Sequence, residues 1–169
     1  MNKIIRVYKE QVPAMRFIGK KYIGEEGFAH WGDFFANGWF DTIEAAMGGT
    51  RSILDIWENG GGYAGMELRR DGALLEYWIG MFAPQDTAVP QGFDSMDFGP
   101  GNLGVCWNYG KENEVHDVGE NEQAVLREGM ELWADGEGRT VRFENGLCPR
   151  FTTPDENGNV ILDYCFYVK

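Results

Sequence analysis

The sequence predicts an α+β fold made of two similar β-α-β-β modules, with antiparallel sheets, pseudo-twofold symmetry and a ligand groove between the halves. Three observations predict it. The phrase LLEYWIGM at 74–81 returns in altered form as ILDYCFYV at 161–168. Tyr77 and Tyr164, Pro13 and Pro100, and Tyr22 and Tyr109 are each separated by the same 87 positions. Strand-like, helix-like and again strand-like patterns arrive in the same order twice, and so long a period fits a duplicated module better than a solenoid. Each half carries one helix and about three strands, too few to cover both faces of its own sheet. Packing the halves together would bury the shared apolar surface.

Around Pro13, apolar residues recur two apart (Ile5 and Val7, then Met15 and Phe17), which is strand periodicity. Trp31, Phe35, Trp39, Ile43 and Met47 fall four apart and predict an amphipathic helix over 29–47, stopped by Gly48-Gly49. Residues 52–57 are apolar and too short to assign. Asp71-Gly72 predicts a hairpin turn between strands at 63–68 and 74–82. A proline-flanked connector at 84–92 separates module 1 (1–83) from module 2 (93–169). In the second module, 93–98 and 103–109 predict strands. A helix over 117–134 would be capped by Asp117 with Glu120, stopped at Gly136, and would show Leu126, Met130 and Trp133 on one face. Strands at 140–143 and 159–168 flank the turn-rich run from Asp155 to Asn159.

Twenty-seven acids against 15 bases give a net charge of −12. Such a chain repels phosphate backbones, which argues against direct nucleic-acid binding and favours cations, although acids also serve plain solubility. Cys106, Cys148 and Cys165 form neither an even set nor a C-x-x-C pair, so no disulfide framework or metal knuckle is expected. No run is long enough to span a membrane, and a reducing cytoplasm is the default location. Opening at Met1 a few residues ahead of its first expected strand, the chain reads as a single, stand-alone domain, or else as a fragment of something longer. No cofactor motif, nucleophile elbow, zinc-protease helix or phosphate loop is present. His30 and His116 stand beside the two helix starts and read as solvated or capping groups.

A seam between two modules is a common pocket site. Corresponding strands would supply Tyr77, Trp78, Trp107 and Tyr164 to it, with Trp39 from the first helix. Glu76 and Asp163 read as solvent-facing by strand alternation. Glu144, after a short apolar strand, is either an exposed strand end or an acid at the bottom of an aromatic pocket. In the second case a bound cation would offset its desolvation, and each ring face would add about 0.5–2 kcal/mol.

Taken in order, QVPAMRFIGKKY, LLEYWIGMF with VPQGF, and FENGLCPRFTTPDENGNVILDYCFYVK resemble the GyrI-like effector-binding domain family over essentially the whole chain. These domains also form the ligand sensors of multidrug-responsive MerR-type and AraC-type transcription activators. The resemblance implies a duplicated, SOUL-like β-α-β-β fold. It also implies a groove for bulky, apolar, often cationic aromatic compounds, so the expected partner is a small amphipathic cation. Drug-sensing members use a buried glutamate in a pattern like F-E-x-Y. Phe143-Glu144 matches its first two positions, but Gly146 stands at the tyrosine position, and that departure removes one pocket wall. Tyr164 matches a family aromatic position. Two other readings stay open. Some relatives resemble hydrolases of strained, cyclopropane-type genotoxins, in which Glu144 would be a catalytic residue, either a general base or a water-orienting group. The name-giving member is associated with inhibition of DNA gyrase, which makes a protein-interaction role possible for an acidic surface.

Overall fold

A computed structural model of the chain describes residues 2–24, 27–116, 119–146 and 149–169, with the side chains of Phe28 and Pro149 excluded. Eight strands form one antiparallel sheet: β1 (Lys3–Val12), β2 (Met15–Ile23), β3 (Ala64–Arg70), β4 (Ala73–Pro84), β5 (Asp94–Phe98), β6 (Gly101–Gly110), β7 (Thr140–Asn145) and β8 (Val160–Val168). Among the described residues, five short helices accompany them: α1 (Trp31–Ala36), α2 (Trp39–Ala46), α3 (Arg51–Leu54), α4 (Asn121–Arg127) and α5 (Pro149–Thr152). Spatial order in the sheet is β1-β6-β8-β7-β3-β4-β2-β5. Exchanging each strand of the first four with the strand four later returns this order reversed. Each half therefore holds four strands, and the halves join edge to edge through β3 and β7.

Local chemistry explains most of these elements. Asp71 and Gly72 both take positive φ (52° and 79°), the conformation a tight two-residue hairpin turn requires. The helix expected over 29–47 is broken. Gly38 adopts φ 64° and restarts the helical register, so α1 and α2 are separate. Four-residue spacing across that break consequently misplaces the buried stripe. Phe34, Phe40, Ile43 and Met47 are buried, whereas Phe35 is 57% exposed. The helix expected over 117–134 shrinks to α4, because Gly129 turns to φ 85° and the chain then runs extended. Leu132 and Ala134 bridge to Val168 and Thr140. Ala124 and Val125 are the buried face of α4, and Leu126 is exposed. The expected Asp117 cap and Cys148 lie outside the described residues. Cys106 and Cys165 are buried.

Antiparallel partners share a face, so the registers assign every strand residue to one side. On one side lie Phe17, Phe82, Phe98, Phe143, Leu103 and Tyr167, all buried. The sheet curls around this side. Phe98, on edge strand β5, stacks on Tyr167 of β8 with centroids 4.6 Å apart, and Phe82 meets Phe143 at 4.9 Å. The strands on both sides of the β3–β7 junction thus bury their apolar surface together inside one curled sheet. The 87-residue echo does not survive in the registers. Tyr22 faces Tyr77, whereas Tyr109 faces Ile161 and Tyr164 faces Cys106.

Candidate functional site

On the outer face, Gly65, Glu144 and Tyr164 form one row across β3, β7 and β8. Gly65 matters because it has no side chain. A Cβ there would lie 2.4 Å from the Tyr77 hydroxyl and 3.3 Å from the Trp31 ring, so the glycine leaves room for both beside Glu144. Gly104 does the same in the other half, where Val125 and Met130 pack over it. Helices from the two halves therefore cover the same face.

Around Glu144 is a cavity of about 210 Å³ lined by Trp31, Phe35, Tyr63, His116, Gly146 and Phe151. Its described polar side chains are committed to partners. Trp31 Nε1 donates to the Tyr77 hydroxyl at 3.0 Å. The Tyr63 hydroxyl donates to Glu44 Oε1 at 3.2 Å, and its ring stacks on Phe40 at 3.8 Å. His116 Nδ1 lies 2.8 Å from Glu144 Oε2. Hydrogen bonding to Glu144 raises the His116 pKa above its ordinary 6.5, against the opposing effect of burial, and the Glu144 and Glu112 charges act in the same upward direction. Exposed Phe35 stands at the rim. The Gly146 N–H donates to the Tyr63 carbonyl at 2.8 Å, and a Cβ on Gly146 would press to 2.9 Å from that oxygen. The position that the family pattern fills with tyrosine is thus closed here, and Tyr63, just ahead of β3, supplies a ring instead.

The predicted site residues do not all converge. Glu144 lines the cavity, and Tyr77 supports it from behind as acceptor for Trp31. Tyr164 is on the same face but lines an adjoining hollow of about 170 Å³ with Glu67, Arg69, Glu122 and Arg142. Burial, and next the Glu67 charge, push its hydroxyl pKa upward. Trp39 lies elsewhere, with Lys20 Nζ 4.3 Å from its ring centroid and Phe93 beside it. Trp78 and Trp107 are on the opposite, inner face. Trp78 packs edge-on to Phe17, and Trp107 meets Tyr8 and the guanidiniums of Arg6 and Arg150. Glu76 and Asp163, expected in solvent, are held by arginines. Arg139 Nη1 is 2.9 Å from Glu76, and Arg150 binds Asp163, whose side chain is 3% exposed.

Sequence reasoning missed Trp31, Phe35, Tyr63, His116 and Phe151 as cavity residues. One signal for Trp31 and Phe35 was available, their i,i+4 spacing; nothing local marks His116 as the partner of an acid 28 positions away. A larger trough of about 610 Å³ lies between β1 and residues 128–131, but Lys9, Glu128, Glu131 and Lys169 dominate it. Among the described residues no cluster of three His, Cys, Asp or Glu side chains could hold a metal ion. No described helix is long and apolar enough to cross a membrane.

No family model matches the chain, and no curated protein matches its sequence. Solved structures do. A Staphylococcus aureus protein described as a bacterial transcription regulation protein aligns with TM-score 0.52 and 13% identity, over 97% of this chain and 98% of that one. EcmrR, in a complex with DNA, aligns with TM-score 0.53 and 9% identity, over 97% of this chain and 57% of EcmrR. A hydrolase from Listeria innocua aligns with TM-score 0.51 and 16% identity, over 97% and 92%. The chain has the fold these proteins share. That fold accords with the GyrI-like resemblance of the sequence; identities this low speak for architecture and leave chemistry to the residues themselves.

Proposed function

We propose that the chain is a GyrI-like effector-binding domain that holds an apolar organic cation in the Glu144 cavity, as a sensor or sequestering protein related to transcription-regulator effector domains. The observation that carries this reading is one carboxylate set among four aromatic rings. Such a cavity favours positive charge twice, through the acid and through the ring faces. The strand order supports an origin in two duplicated modules, about 1–83 and 93–169, with the cavity beside their β3–β7 junction. Multidrug breadth, an AraC-type context and a cytoplasmic setting belong to the same proposal. A thermal-shift screen against lipophilic cations tests it. A ligand at a hundred times its Kd adds about 2.7 kcal/mol of stability. Glu144→Gln should weaken a cation far more than its neutral isostere, and equal weakening of both would refute the reading.

The 2.8 Å contact between His116 and Glu144 favours a second reading, hydrolysis of a strained electrophile. An acid–imidazole pair in a ring-lined cavity can orient and deprotonate water. Turnover of such an electrophile, lost in Glu144→Gln, would select this reading over simple binding.

A further inference from the structure

We infer that the hollow beside Tyr164 is a second, separate binding site, for a small zwitterion of the α-amino-acid class. It shares no lining residue with the Glu144 cavity, so the inference stands apart from the proposed function.

Strand registers build the hollow. Glu67 pairs with Arg142 and Arg142 with Phe166, which places these three in the outer-face row next to Gly65, Glu144 and Tyr164. Glu122 of α4 comes in over that row, and Arg69 of β3 completes a space of about 170 Å³ held by two carboxylates and two guanidiniums. Glu67 and Arg69 satisfy each other, with Arg69 Nη2 donating to Glu67 Oε1 at 3.1 Å and Nε to Oε2 at 3.4 Å. Arg142 differs. Its side chain is only 15% exposed, yet among the described residues it makes a single hydrogen bond, from Nη2 to Glu122 Oε1 at 2.8 Å, and its buried Nε finds no acceptor. Its other contact, 4.9 Å from the guanidinium carbon to the Phe166 centroid, uses no donor. Glu122 engages one oxygen, and the Tyr164 hydroxyl has no hydrogen bond among the described residues. A guanidinium so withdrawn from water gains from an added acceptor, and a carboxylate fits its forked edge best.

Charge narrows the ligand. A simple anion drawn to Arg142 meets Glu122 and Glu67 in the same space, and a simple cation drawn to Glu122 meets Arg142 and Arg69. A zwitterion leaves the balance of two positive and two negative groups unchanged. Its carboxylate takes the unused donors of Arg142 and the Tyr164 hydroxyl, while its ammonium takes the second oxygen of Glu122. Size narrows it further. About 170 Å³ is the share of five or six water molecules at roughly 30 Å³ each, below the roughly 300–1,000 Å³ of pockets for drug-sized molecules. An α-amino acid with a small side chain fits, and Phe166 offers that side chain apolar surface.

Titration of the intact chain with L-alanine, propionate and L-alaninamide, followed by amide NMR shifts, tests the inference. Propionate lacks the ammonium and alaninamide lacks the carboxylate. Alanine should bind at least tenfold more tightly than either, with its largest shifts on β7 and β8 around Arg142 and Tyr164. Tyr164→Phe, which removes one donor and keeps the ring, should weaken alanine several-fold while the cooperative melt is retained. Glu122→Gln should move the preference from alanine toward propionate. Glu144→Gln should leave alanine affinity unchanged, which separates this site from the organic-cation cavity. Propionate binding as tightly as alanine would make the hollow an anion site, and alaninamide doing so would make it a cation site; either overturns the inference. Silence with all three would reduce the hollow to solvated ion pairs and overturn it too, leaving the cation reading of the Glu144 cavity untouched.

Discussion

Cation affinity should rise with pH, and His116 should be the cause. The imidazole already lies at hydrogen-bond distance from Glu144, inside the cavity that the ligand would enter. When protonated it is the resident cation, and a ligand must share the carboxylate with it. Take a ligand charge about 5 Å from the imidazolium at an effective dielectric constant near 20; the repulsion is then about 3 kcal/mol, roughly a hundredfold in affinity. The His116 side chain is 33% exposed and Glu144 15%, so solvent screening lowers that ceiling toward about tenfold. Below the raised pKa of His116, affinity should fall by about tenfold per pH unit until the ceiling is reached. Above it, affinity should level off.

Stability of the unliganded chain should run the opposite way. His116 has a folded-state pKa above its ordinary 6.5. Its contribution is therefore fully present below 6.5 and is lost as pH rises through the raised value. Affinity gained and stability lost over the same window form a signature that general acid expansion would not produce. Titration with a fluorescent lipophilic cation at a series of pH values measures the first, and urea melts measure the second. His116→Gln, which keeps a neutral donor near Glu144, should flatten both curves. A pH slope that persists in His116→Gln, or affinity that increases on acidification, would refute the reasoning.

Three further outcomes are expected. Gly146→Ala should cost about 1–3 kcal/mol, because its Cβ is forced against the Tyr63 carbonyl at 2.9 Å; an unchanged urea midpoint would count against that contact. Arg150→Met removes the guanidinium that binds Asp163 on the buried side of β8 and donates to Asn59 at 3.2 Å, and should cost about 3–5 kcal/mol by the same measurement. Trp107→Ala should lower the melting temperature yet leave cation affinity unchanged, since the ring lies on the inner face against Tyr8; a matched loss of affinity would put Trp107 back in the site.

Strand alternation explains why part of the site was legible and part was not. Tyr77 and Trp78 are consecutive on β4, so they must face opposite ways, and no single groove on this sheet can take both. The same parity separates Trp107 from Tyr164, since Trp107 pairs with Asp163 and Tyr164 pairs with Cys106. Parity was readable from the sequence; which parity faces outward was not, because that depends on how the sheet curls. The strands and the Asp71-Gly72 hairpin were legible because period-two patterns and turn chemistry are local. The helices were mislaid where a single glycine, Gly38 or Gly129, changed φ sign and reset the register. Residues such as His116 and Phe151 come from irregular or very short segments, where no periodicity exists to read.

The curl also decides where a ligand can go. The sequence predicts a groove that opens where the two halves face each other, but that inner space is taken. Phe82, Phe98, Phe143 and Tyr167 close it ring against ring, and Trp57 seals the same cluster at 5.7 Å from Phe82. Opening that side would forfeit several buried aromatics at about 3–5 kcal/mol each, more than ordinary binding energy replaces. The outer face at the β3–β7 junction differs. Gly65 makes room there for Trp31 and Tyr77, Phe35 of α1 and Phe151 of α5 line the opening, and Glu144 of β7 lies among them. Small residues at the junction and bulky ones behind it thus move the site from the seam's interior to its exterior, and Glu144, once His116 is neutral, gives the opening a preference of sign.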